Sequence, residues 1–162
     1  MTDQKITSDR QMRAAGWVLA VGGLIPFWAL ALFLFAADSG ELYERLALVG
    51  YGATILAFLG GIRWGVAIAT ETDGTDGIRT RPRSDGRVVL ALSVLPSLAG
   101  WLTLLMPAFT AIMVLIFCFV LQWVWDSLSV RSGSLPKWFG SLRSVITAGA
   151  VLALIIGAIG VS

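Results

Sequence analysis

Five apolar stretches, at about 14–37, 46–69, 88–106, 108–126 and 143–161, fill most of this 162-residue chain, and the charges lie almost wholly in the gaps between them. Each stretch supplies the 17–25 residues that a helix needs to cross a hydrocarbon core about 30 Å thick. Backbone N–H and C=O groups in lipid must be satisfied internally, and a helix does this within one segment. The pattern therefore predicts an all-α, polytopic membrane protein, a single membrane domain over 1–162 built as a five-helix bundle. Only 14% of the residues are charged, against about a quarter in soluble domains. The longest gap, Thr70 to Arg87, leaves no room for a separate soluble domain.

The cations set an orientation. Lys5, Arg10 and Arg13, then Arg79, Arg81, Arg83 and Arg87, then Arg131, Lys137 and Arg143 occupy alternate gaps, ten of the twelve Lys and Arg residues. The opposite side holds Arg45 alone, beside Asp38, Glu41 and Glu44. The positive-inside rule puts the N-terminus in the cytoplasm and Ser162 in the periplasm. Trp17, Trp125 and Trp138 then fall near the inner boundary and Tyr43 and Trp101 near the outer, as interfacial anchors do. Trp28, Trp64 and Trp123 lie deeper and need partners for their indole N–H groups. The first stretch is too long for a signal-peptide core and is read as a retained helix. Ten arginines against two lysines point to a GC-rich bacterial source, hence a bacterial inner membrane.

Several function classes drop out. Histidine is absent, which removes the usual general base, haem ligand and commonest zinc ligand. Cys118 is alone within the fourth stretch and reads as a buried thiol. The basic pI near 9.1 follows topology, and no basic stripe carries interleaved aromatics, so nucleic-acid binding is not expected. Asp73 and Asp76 lack the glutamate that a calcium loop requires. Neither a metal nor a cofactor is expected.

Inside the membrane, the second stretch places Ala53, Ala57, Gly61, Gly65 and Ala69 at four-residue spacing, and the fifth places Gly149, Ala153 and Gly157 likewise. Small residues at this spacing let helix backbones approach closely, within one bundle or between copies. Arg63 lies six residues before Ala69 and so about 9 Å inside the helix end. Side chains lean toward a helix N-terminus, which here tilts Arg63 toward the membrane centre. A polar site with Asp126 and Gln122, on the inward-running fourth stretch, would satisfy it; snorkelling to the headgroups is the alternative. Pro26 and Pro96 predict kinks that free the carbonyls of Gly22 and Leu92, with Ser93 and Ser97 placed to serve the second. Pro107 predicts a tight hairpin between the third and fourth helices. Lys137, Trp138, Phe139 and Arg143 read as an interfacial turn, rings in the headgroups and cations on anionic lipid, or as a docking site for a partner.

These same residues carry a family resemblance. Leu24–Ile25–Pro26–Phe27, Phe58–Leu59–Gly60–Gly61–Ile62–Arg63–Trp64–Gly65, Leu95–Pro96–Ser97 with Trp101, Leu121–Gln122–Trp123 with Asp126, and Leu135–Pro136–Lys137–Trp138 with Leu142–Arg143 occur in that order. The set resembles the family of domain of unknown function 3429, the transmembrane-protein-69-like proteins of bacteria and mitochondria. The resemblance implies an integral membrane protein and brings no activity with it. The translocator-protein family shares only the five-helix, Trp-rich architecture, since its Trp-x-Pro-Pro-x-Trp pattern is missing here.

Three functions remain open. The first is a non-catalytic inner-membrane component, a homo-oligomer or part of a larger membrane complex, motivated by the small-residue seams. The second is a carrier or binder of a small anionic or amphipathic molecule through Arg63, Asp126 and Gln122. An intramembrane enzyme would need a nucleophile and base from carboxylates, Ser93 and Ser97 alone; no enzyme activity is expected.

Overall fold

A computed structural model of the chain describes residues 2–36, 42–72, 83–133 and 135–161. Within them there are helices and turns but no strand: α1 (Thr2–Gly22), α2 (Leu24–Ala36), α3 (Leu42–Thr72), α4 (Arg83–Thr103), α5 (Ala108–Arg131) and α6 (Lys137–Val161). Four segments are long and apolar enough to cross a membrane, Arg10–Ala36, Leu42–Ile68, Ala108–Arg131 and Lys137–Val161. The apolar part of α4, Arg87–Thr103, is shorter. The stretch 37–41, with Asp38 and Glu41, and Asp73 and Asp76 of the 70–87 loop lie outside the described residues.

The first stretch, expected as one helix, is two. Pro26 has no N–H to give to Gly22, and the chain breaks at Gly23, whose own N–H still closes the last turn of α1 on the Leu19 carbonyl at 2.9 Å. The Gly23 carbonyl is met from another helix, by the Tyr51 hydroxyl of α3 at 2.7 Å. Edge-to-face contact of Tyr51 with Phe27, centroids 4.9 Å apart, holds that phenol in place. Tyr51→Phe keeps the ring and removes the donor, so a loss of about 0.5–1.5 kcal/mol is expected. A fall in the unfolding temperature in detergent measures it, and an unchanged value refutes the role.

Helix ends also depart from the hydropathy boundaries. α4 stops at Thr103 because the next turns tighten, with Leu104, Leu105 and Met106 donating three residues back. Pro107 then opens α5 (φ −55°, ψ 143°). At the other end α5 runs on to Arg131, and Gly133, at φ 75°, turns the chain into the left-handed region. Pro136 precedes a helix that starts at Lys137, so the expected interfacial turn is the first turn of α6.

The core lies between α2, α3, α5 and α6. Phe27, Ala31 and Leu34, Leu48 and Leu56, Ile112, Leu115 and Phe119, and Ala150, Ala153 and Leu154 form it. α4 brings no fully buried residue to this cluster and packs mainly along α3. Its buried positions are small: Ser93, Gly100 and Thr103. A Cβ on Gly60 would lie 2.5 Å from the Ser93 carbonyl oxygen, and one on Gly100 would lie 2.9 Å from that of Ala53. These two contacts run in opposite senses along the two helices, so α4 is antiparallel to α3.

The seam therefore differs from the expected stripe. Ala53 faces Gly100, but a Cβ on Gly61 or Gly65 would meet nothing within 4 Å, Ala57 is only half-buried, and the Ala69 side chain lies outside the described residues. Four residues turn a helix through about 400°, so each step along that stripe drifts about 40° and it winds out of the contact. Seven residues drift only about 20°, and positions 53, 60 and 67 stay buried. On α6 the same drift is put to use. Gly149 lies against Leu24 of α2, Ala153 is fully buried, and Gly157 lies against Leu48 of α3.

Candidate functional site

The polar centre of the molecule joins three helices. Asp126 on α5 receives Arg63 of α3 on one carboxylate oxygen (Nη2 to Oδ1, 2.7 Å) and Arg143 of α6 on the other (Nε to Oδ2, 2.6 Å). The three residues are 4%, 4% and 5% exposed. Arg63 also donates through Nη1 to the Ser129 hydroxyl at 2.7 Å, and that hydroxyl donates to the Trp125 carbonyl at 3.0 Å. The Arg63 guanidinium lies over the Trp125 ring, 4.8 Å from its centroid, which suits a weakly hydrated planar cation. Arg63 therefore turns into the bundle and does not snorkel to the headgroups.

Local sequence produces this geometry. Arg63 sits on the buried face of α3 with Leu56, Leu59 and Ala67. On α5, residues 115, 119, 122 and 126 form one buried row. On α6, Arg143, Thr147, Ala150 and Leu154 form another. Both rows follow the i, i+4, i+7 rule for a helix face.

Two of the three expected site residues meet. Gln122 is buried but does not join the ion pair, and its Nε2 has no hydrogen-bond partner among the described residues. Contacts of Trp123 with Ser144 (3.0 Å), Asp126 with Arg143 and Val130 with Gly140 define an antiparallel α5–α6 register. That register sets Gln122 opposite Thr147, one turn beyond the carboxylate.

Arg143 is the residue that sequence reading misplaced. It was expected at the interface on anionic lipid, but α6 begins six residues earlier, so Arg143 falls on the buried row. Lys137 remains exposed, whereas Trp138 is half-buried and packs on Gly16 of α1, where a Cβ would lie 3.6 Å from the ring. Its edge-to-face contact with Phe139 spans 6.2 Å between centroids. Trp123 finds the expected indole partner in Ser144, whereas Trp64 faces outward. Ser93 donates to the Leu90 carbonyl and not to that of Leu92. Among the described residues no three Cys, Asp or Glu side chains come together as a metal site would need.

Residues 12–159 match a family described as a protein of unknown function, DUF3429. The chain belongs to this family. It is 33% identical over 138 residues to Transmembrane protein 69 of Xenopus tropicalis, covering 85% of this chain and 51% of that protein. Against Transmembrane protein 69 of Mus musculus the identity is 28% over 138 residues, with 85% and 53% covered. The chain thus spans about half the length of the curated relatives it matches. No solved structure matches it. The matched region contains all three members of the ion-paired centre.

Proposed function

We propose that this chain is a non-catalytic, multi-pass component of a bacterial inner membrane that packs with itself or within a larger membrane complex. In this reading it crosses five times, α4 included, with the N-terminus cytoplasmic and the C-terminus periplasmic. The charge asymmetry supports that orientation. The observation that carries the assembly reading is on α3: Gly61 and Gly65 form a small-residue row that nothing among the described residues covers. Phe58 and Trp64 flank it, also exposed. Such a row admits a second backbone at close range. The absence of histidine and the use of both Asp126 oxygens by arginines weigh against catalysis at the buried centre.

Native mass spectrometry of the full chain in mild detergent tests the assembly. Wild type is expected as an oligomer or with a stoichiometric partner. Gly61→Leu and Gly65→Leu are expected to shift it toward the free monomer without lowering the monomer's unfolding temperature. A wild type that is monomeric and partner-free at every protein-to-detergent ratio would sink the reading.

A second reading, binding of a small anionic molecule, is favoured by one feature of the buried centre. Its donors outnumber its acceptors.

A further inference from the structure

Two guanidinium groups and one carboxylate are enclosed in the bundle, each residue at most 5% exposed, which leaves one positive charge uncompensated among the described residues. Arginine does not relieve this by losing a proton. Asp126 is already committed, with one oxygen to each cation. Around it, Arg63 Nε, Arg143 Nη2, Gln122 Nε2 and Thr147 Oγ1 are all buried and have no hydrogen-bond partner among the described residues. Three of these four are N–H donors, and the fourth is a hydroxyl that can donate. What is missing is an acceptor that also carries negative charge. A buried water would supply lone pairs but leave the charge uncompensated, and an unpaired ion within a membrane protein is costly.

We propose that the Arg63–Asp126–Arg143 centre, with Gln122 and Thr147, binds one monovalent anionic group. The group accepts hydrogen bonds from Arg143 Nη2 and Gln122 Nε2 and brings the site to neutrality. A small inorganic anion or a lipid phosphodiester has this chemistry. The proposal deepens the binding reading and is independent of the assembly on α3.

The test uses the full chain, exchanged into gluconate at constant ionic strength, with the unfolding temperature as readout. One arm titrates chloride and inorganic phosphate in nonionic detergent. The other compares nanodiscs of phosphatidylcholine with nanodiscs containing phosphatidylglycerol. A saturable rise is expected in at least one arm: the first identifies a free anion, the second a lipid headgroup. Gln122→Glu places a carboxylate within the site itself. It is expected to be more stable than wild type in gluconate and to lose the response in both arms. Arg143→Gln removes the excess charge and leaves a neutral Arg63–Asp126 pair, so its response is also expected to vanish. A flat wild-type response in both arms overturns the proposal. So does a response that persists undiminished in Gln122→Glu, because that is a general salt or lipid effect. Loss of oligomers in Gly61→Leu with the anion response intact would support both readings, since the two sites are separate.

Discussion

Asp126→Leu is expected to be among the most damaging single substitutions in the bundle, with a loss of about 3–5 kcal/mol, the range for breaking a buried ion pair. It strands two buried cations at once, since Arg63 and Arg143 share this one carboxylate. Loss of either arginine alone leaves Asp126 paired with the other. Arg63→Leu and Arg143→Leu should therefore each be milder than Asp126→Leu. The three are coupled, with interaction terms of about 0.5–3 kcal/mol for residues in one network. Replacing all three by leucine strands no charge and should be less damaging than Asp126→Leu alone. Unfolding temperatures in detergent order the series. Equal losses for Asp126→Leu and Arg63→Leu would mean that the carboxylate does not hold both cations.

Gly60→Ala and Gly61→Ala are adjacent changes with the same gain in helix propensity, about 1 kcal/mol in favour of alanine. They are expected to act in opposite directions. At position 60 the new methyl would lie 2.5 Å from the Ser93 backbone oxygen, which cannot rotate away, so α3 and α4 must separate. Overpacking of this kind costs about 1–3 kcal/mol. At position 61 the methyl meets nothing within 4 Å. The difference between the two unfolding temperatures isolates the helix–helix contact from the propensity change. Equal shifts would show that α4 does not rest on Gly60.

Hydropathy located the helices well because in lipid a long apolar stretch has few alternatives to a helix. It located their ends poorly. α6 starts at the polar–apolar mixture Lys137–Arg143, where a proline rather than a change of hydropathy begins the helix, and this hid Arg143. The Arg63–Asp126 pair was legible because α3 and α5 run in the same direction, so both side chains lean the same way. Gln122 was placed on the right face and at the wrong depth for that pair. The small-residue stripe shows a limit of spacing alone. Four-residue spacing marks a close approach over one or two turns, but a straight helix needs a seven-residue return to keep the same neighbour, and Ala53 with Gly60 has it. Pro26 marked the break in the first stretch, but the donor that meets the Gly23 carbonyl there, Tyr51, is twenty-eight positions away, and no local pattern reveals it.

The lateral seat of α4 makes the molecule uneven in cohesion. Its closest approaches to α3 are small residues against backbone, at Gly60 and Gly100, while the cluster of large buried side chains lies between the other helices. Close approach of two backbones is one of the ways helices hold together in lipid, so the α3–α4 joint rests on dispersion between main chains rather than on interlocked side chains.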